Sequence, residues 1–122
     1  MTFTQCAFGV LAGNTKGRLI NCVITQCKYS GIYCEGNALI ELEGDQTKVD
    51  GNGTSGYGNC GLHTYHTESK IHLLYPLTKE SASTNNHSWG NYGGRGLIAI
   101  VDDEGNKIEI INEVYEESDG DY

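Results

Sequence analysis

Four histidines and five cysteines are the residues of this chain best equipped for chemistry. His63, His66 and His72 lie close together with Glu68 between them, a grouping that raises a surface metal site or an acid/base pair. Strand parity argues against it. His63 shares a face with Tyr65, His66 falls on the opposite face unless a turn intervenes, and His72 belongs to a later segment, so solvated strand-face histidines are expected. The cysteines, Cys6, Cys22, Cys27, Cys34 and Cys60, are odd in number and show no C-x-x-C spacing, which favours free buried thiols over zinc or a complete disulfide framework. Asp102-Asp103 reads as turn chemistry, because an acidic pair alone gives no glycosidase geometry. The Gly-rich stretches lack the Lys-Ser/Thr and helix start of a phosphate loop. No catalytic residue, metal ligand or cofactor is therefore assigned.

The second chemistry available is recognition. Tyr57 stands in a Gly/Asn-rich stretch, and Asn85, His87, Trp89, Asn91 and Tyr92 stand in another. Neither shows the alternation that would bury its rings. Exposed rings edged by Asn, Ser and His give a flat apolar face with hydrogen-bonding groups, which suits a sugar ring or a partner surface. These six residues are the expected ligand-binding set. The competing reading is that Trp89 and Tyr92 fold back over a corner of the core. Asn52-Gly53-Thr54 and Asn86-His87-Ser88 match the glycosylation acceptor pattern, which arises often by chance in such loops.

Positioning these loops requires a scaffold, and the chain repeats itself. A glycine, an aliphatic residue, any residue and a small one occur as Gly9-Val10-Leu11-Ala12, Gly31-Ile32-Tyr33-Cys34, Gly61-Leu62-His63-Thr64 and Gly96-Leu97-Ile98-Ala99. Alternation along a strand turns Val10/Ala12, Ile32/Cys34, Leu62/Thr64 and Leu97/Ala99 inward. It leaves an outward column Leu11, Tyr33, His63, Ile98 that is apolar enough for a partner or subunit interface. A second alternating segment follows each, as Ile20-Asn21-Cys22, Ile40-Glu41-Leu42, Ile71-His72-Leu73 and Ile108-Glu109-Ile110, with outward Asn21, Glu41, His72 and Glu109. A third is expected at Thr47-Lys48-Val49 and Leu77-Thr78-Lys79, while Val23-Ile24-Thr25 continues the second in the first unit. The excess length of later units falls between Val49 and Gly61 and between Lys79 and Gly96, at one corner of the coil.

Three short strands per turn is the cross-section of a parallel β-helix. The expected fold is all-β: a short right-handed parallel β-helix of about three to four coils, with Leu97–Val101 and Lys107–Ile111, joined by the turn Asp102–Asn106, available as a C-terminal β-hairpin to close the open end. Residues 1–112 form the single domain and 113–122 an acidic tail. The N-terminal end offers no comparable cap, so truncation, an oligomeric contact or a covering segment is expected there. Seventeen glycines and one proline fit a chain of many corners and few helices. The formal charge of −8, with no basic run, speaks against nucleic acid. No apolar run reaches the length of a membrane span. No secretory signal is visible, and reduced cysteines favour an intracellular setting.

The glycine-aliphatic-x-small strands, second strands such as Ala38-Leu39-Ile40-Glu41-Leu42, and inward Cys and Thr together resemble the right-handed parallel β-helix superfamily, the pectin-lyase-like fold, over roughly residues 4 to 111. That resemblance implies a fold shared by polysaccharide lyases, hydrolases and epimerases, by viral spike proteins and by non-catalytic modules. The enzymes have longer stacks with acidic, Lys and Arg residues converging on a groove, a pattern this chain departs from. A non-catalytic module binding a carbohydrate or protein partner is therefore expected. Its rivals are a fragment of a polysaccharide-cleaving enzyme and a self-assembling spike or shell subunit.

Overall fold

The structure is a computed structural model and describes residues 2–55, 58–88 and 90–112. Tyr57, Trp89 and residues 113–122, the expected acidic tail, lie outside the described residues. The chain winds as a parallel β-solenoid of about three turns, its strands collected into three sheets. The first sheet holds β2 (Val10–Gly13), β5 (Ile32–Glu35), β8 (Leu62–Thr64) and β11 (Tyr92–Gly94). The second holds β3 (Lys16–Ile20), β6 (Leu39–Glu43), β9 (Lys70–Leu74), β12 (Leu97–Val101) and β13 (Lys107–Ile110). The third holds β1 (Thr2–Thr4), β4 (Val23–Thr25), β7 (Lys48–Asp50) and β10 (Ser83–Thr84).

Register stacks like positions on like positions. Val10, Ile32, Leu62 and Tyr92 align in the first sheet, as do Ala12, Cys34, Thr64 and Gly94. In the second sheet Gly17, Ile40, Ile71 and Ile98 align beside Leu19, Leu42, Leu73 and Ile100. Phe3, Ile24, Val49 and Ser83 complete the interior from the third. Most of these side chains are buried and form one continuous core.

The recurring glycine has a steric cause. A Cβ on Gly9 would collide with Ile24, and one on Gly31 would lie 2.6 Å from Val49 Cγ1 and 2.9 Å from the Gly61 carbonyl. Each glycine marks where the first strand enters against the inward residue of the third. The corners are equally regular. Residues with left-handed φ stack at the third-to-first corner, as Gln5 (58°), Gln26 (59°), Gly51 (70°) and Asn85 (53°). Asn14 and Gly36 turn the first-to-second corner, and Asn21 and Gly44 the second-to-third. One such residue redirects the chain while leaving the flanking strands in register.

Several expectations are corrected. Gly96-Leu97-Ile98-Ala99 is not the fourth first-sheet strand: Leu97–Val101 pairs with β9 in the second sheet, and Tyr92–Gly94 takes the predicted place. Inward and outward are thereby exchanged, with Ile98 fully buried over Ile71 and Leu97 only half-buried. The outward first-sheet column ends in Gly93, and the second-sheet column runs Arg18, Glu41, His72, Ala99. Asn21 is a corner residue, because the first coil's second strand is Lys16–Ile20, whose inward Gly17 hides its alternation. Val23–Thr25 is a third strand in its own right, paired with β1 and β7. Leu77-Thr78-Lys79 is not a strand. Thr78 caps a short helix, α1 (Lys79–Ala82), through a reciprocal bond with Ser81, and the third strand follows at Ser83.

The expected hairpin forms at the end of the stack, but Ile108 and Ile110 are exposed, so Ile108-Glu109-Ile110 extends the second sheet as an edge strand and is not an inward-facing second strand of a fourth coil. Strand β13 runs antiparallel to β12, with Asp102 Oδ1 accepting from the backbone N–H groups of Glu104 and Asn106 in the turn. Beyond it Ile111 enters the core, and Asn112 caps the last coil by accepting from Ile98 N and donating to the carbonyls of Gly94 and Gly96.

Candidate functional site

The two elaborated loops do stack at one corner. Asn52 N donates to Asn86 Oδ1 at 2.8 Å and His87 N to the Asn52 carbonyl at 2.8 Å. Asn52 is fully buried: its Oδ1 accepts from Cys27 N, and its Nδ2 donates to the Ile24 carbonyl and to Asn86 Oδ1. Asn86 in turn donates to the carbonyl of Val49, to Ser83 Oγ and to Asn91 Oδ1. A buried amide whose bonds are all met fixes its loop, because any other placement would strand those groups without partners. These bonds tie the two loops together at Asn52 and Asn86.

The predicted ligand-binding residues separate at this corner. Asn85 and His87 are exposed, and His87 lines an open groove with Gln26, Lys28, Asp50 and Thr54. Asn85 Nδ2 is bonded to Asp50 Oδ1 at 3.1 Å. Asn91 is half-buried, its Oδ1 taken by the backbone and side chain of Asn86. Tyr92 is a core residue, 1 % exposed, its hydroxyl donating to the Lys79 carbonyl and accepting from Ser83 N. It covers the interior where an aliphatic side chain stands in the earlier coils, so it leaves the ligand-binding set. Tyr57 and Trp89 belong to the residues not described.

The rings that do assemble lie on the outer face of the first sheet. Phe8 meets Tyr29 at 5.3 Å and Tyr33 at 5.2 Å between centroids, Tyr33 meets His63 edge-on at 5.0 Å, and Tyr65 packs at 5.9 Å from Tyr33 and 4.7 Å from His66. These are the offset and edge-to-face separations that aromatic quadrupoles prefer. The strip crosses three coils. Its rims stay open, with Tyr65 52 %, Tyr29 36 % and Leu11 59 % exposed. Sequence reasoning reached Leu11, Tyr33 and His63 through the outward column but missed Phe8, Tyr29 and Tyr65. For Tyr65 a signal existed, since it shares parity with His63.

Burial shapes the chemistry of the strip. His63, enclosed by rings, is held neutral with its pKa pushed down to about 4 by desolvation, and its Nδ1 lies 3.2 Å from Ser30 Oγ. Ser30 Oγ is itself bonded by Cys60 N. Desolvation likewise pushes the Tyr33 hydroxyl up to about 12, with Glu35 adding to the rise. His66 is exposed, and its Nδ1 accepts from Gly36 N. Beside it a shallow groove is lined by Asn14, Asn37, Tyr65, Glu68 and Arg95.

The chain matches no known protein family, curated protein or solved structure. The three neighbouring histidines do not converge, because His63 lies on the first sheet, His66 at the corner and His72 on the second sheet beside Glu41. Among the described residues no group of three His, Cys, Asp or Glu side chains is placed to hold a metal ion. The outer face of the second sheet carries an ion-pair network instead, with Arg18 reaching Glu41 at 2.8 Å and Glu43 at 3.2 Å. Both pairs are solvated and supply little binding energy.

Proposed function

We propose that this protein is a non-catalytic β-helix binding module, of the pectin-lyase-like type its sequence resembles, that holds a carbohydrate against the outer face of its first sheet. The observation that carries the reading is the continuous run of ring contacts from Phe8 through Tyr33 and His63 to Tyr65 and His66. Sugar rings present an apolar C–H face and a polar rim. The exposed phenol rings of Tyr29 and Tyr65 answer the first, while His66 and the asparagines of the adjoining groove, Asn14 and Asn37, answer the second. The ring-to-ring packing of the strip supports the reading too, since a preformed surface avoids the ordering cost of binding. His63 and Ser30 are enclosed and neutral, which suits them to support rather than to proton transfer.

A glycan array of the wild-type protein and of Tyr65→Ala, Tyr29→Ala and Trp89→Ala tests this. Binding should be present and should fall about tenfold with each lost ring that stacks, the scale of roughly 1.4 kcal/mol. No bound glycan, or binding indifferent to Tyr65 and Tyr29, would sink the carbohydrate reading. A defined protein ligand lost with those same substitutions would transfer the strip to a protein partner. Turnover of a polysaccharide would overturn the non-catalytic part.

A further inference from the structure

Extending the third-sheet register by two residues brings two cysteines into one column. Thr4 pairs with Thr25, both chains then turn through a left-handed glutamine, and the carbonyl of Cys6 accepts from Lys28 N at 2.8 Å. Cys6 and Cys27 therefore sit one strand spacing apart, about 4.8 Å, inside the range of roughly 4.4–6.8 Å between Cα atoms that a disulfide spans. Their thiols point alike: each donates to the carbonyl two residues back, Cys6 Sγ to Thr4 at 3.6 Å and Cys27 Sγ to Thr25 at 3.9 Å. Their access differs. Cys27 is fully buried, whereas Cys6 is half-exposed and lines the open corner groove beside Gln5 and Lys28.

We propose that Cys6 and Cys27 are a redox-active pair that closes into a disulfide clasp between the first two coils, with Cys6 as the entry thiol and Cys27 as the resolving one. The oxidant is a small-molecule disulfide such as oxidised glutathione. The Cys6 thiolate attacks one glutathione sulfur, forming a mixed disulfide and releasing the first glutathione thiol. Cys27 sulfur then attacks Cys6 Sγ, its proton passing to the second departing glutathione. Two protein thiols are oxidised to one disulfide and one glutathione disulfide is reduced to two thiols, so atoms and electrons balance. The clasp ties down β1, whose one sheet neighbour among the described residues is β4. Burial pushes the Cys27 thiol up, with Cys6 acting on it as an immediate neighbour, which keeps Cys27 from reacting first.

The test incubates the folded protein with oxidised glutathione and counts free thiols, with intact-mass measurement. The wild type should lose two thiols without retaining glutathione, recover both on reduction, and behave the same as Cys22→Ser. Cys27→Ser should stop at one glutathione adduct on Cys6. Five unreacted thiols, a stable adduct on the wild type, or an intramolecular cross-link that survives Cys27→Ser would each overturn the proposal.

Discussion

His63 shows how a single position can carry both the surface and the stability of the protein. Its folded-state pKa of about 4 lies below its ordinary 6.5, so between those values the unfolded chain binds a proton that the folded one refuses. Stability from this group is complete above pH 6.5 and is lost as pH falls toward 4. The loss amounts to about 3 kcal/mol at 1.36 kcal/mol for each unit. Comparing denaturant unfolding of the wild type and His63→Gln across pH 7 to 4 isolates it, because the carboxylates titrate in both. The two curves should converge toward pH 4; parallel curves would refute the assignment. The neutral state was not legible from sequence. Parity placed His63 on the outer face, where solvation is the default, and only the packing of Tyr33 and Tyr65 around it shows why water is excluded.

At the scale of elements, the glycine that opens each first strand is a steric device and should behave as one. Gly31→Ala forces a methyl against Val49 and the Gly61 carbonyl and should cost about 1–3 kcal/mol. Gly13→Ala meets nothing closer than 3.5 Å, and should be neutral or stabilise by about 0.4–1 kcal/mol through the unfolded chain. Thermal unfolding of the pair checks both, and equal effects would contradict the geometry. That glycine was readable in three coils because it recurs beside an aliphatic residue. It misled in the fourth, where Asn91 takes the glycine's place before Tyr92 and Gly96 opens a second-sheet strand. Gly93-Gly94 looks like loop in sequence, and the buried Tyr92 hydroxyl is satisfied by Lys79 and Ser83, from the α1–β10 segment that precedes it in the chain. The third strand of that coil was hidden similarly, displaced by the capped turn of α1.

The whole molecule is a stack in which each coil touches only its neighbours, so stability should grade along the axis. Amide hydrogen exchange is expected to be slowest in β5, β6, β8 and β9, which have partners on both sides, and fastest in β1 and β3, at the edge of their sheets. Uniform protection across all coils would show that the stack unfolds only as one unit. The solenoid class and two of its three sheet faces were legible because period-two alternation and repeated spacing are local signals. The aromatic strip was legible only in part. Phe8 and Tyr29 lie just before their strands, where alternation does not reach, and their contacts are set by how the corner folds back.

The register of the first sheet has a consequence for anything that lies along it. Parallel hydrogen bonding fixes successive coils about 4.8 Å apart, and Tyr33 and His63 occupy the same position on adjacent strands. The spacing of the strip is thus a property of the backbone and does not change when a side chain is replaced. Under the proposed binding role the face would be a ruler graduated in coils. A polymer whose repeat is commensurate with that graduation can meet every mark at once, whereas one with another repeat drifts out of phase within a few units, whatever its chemistry.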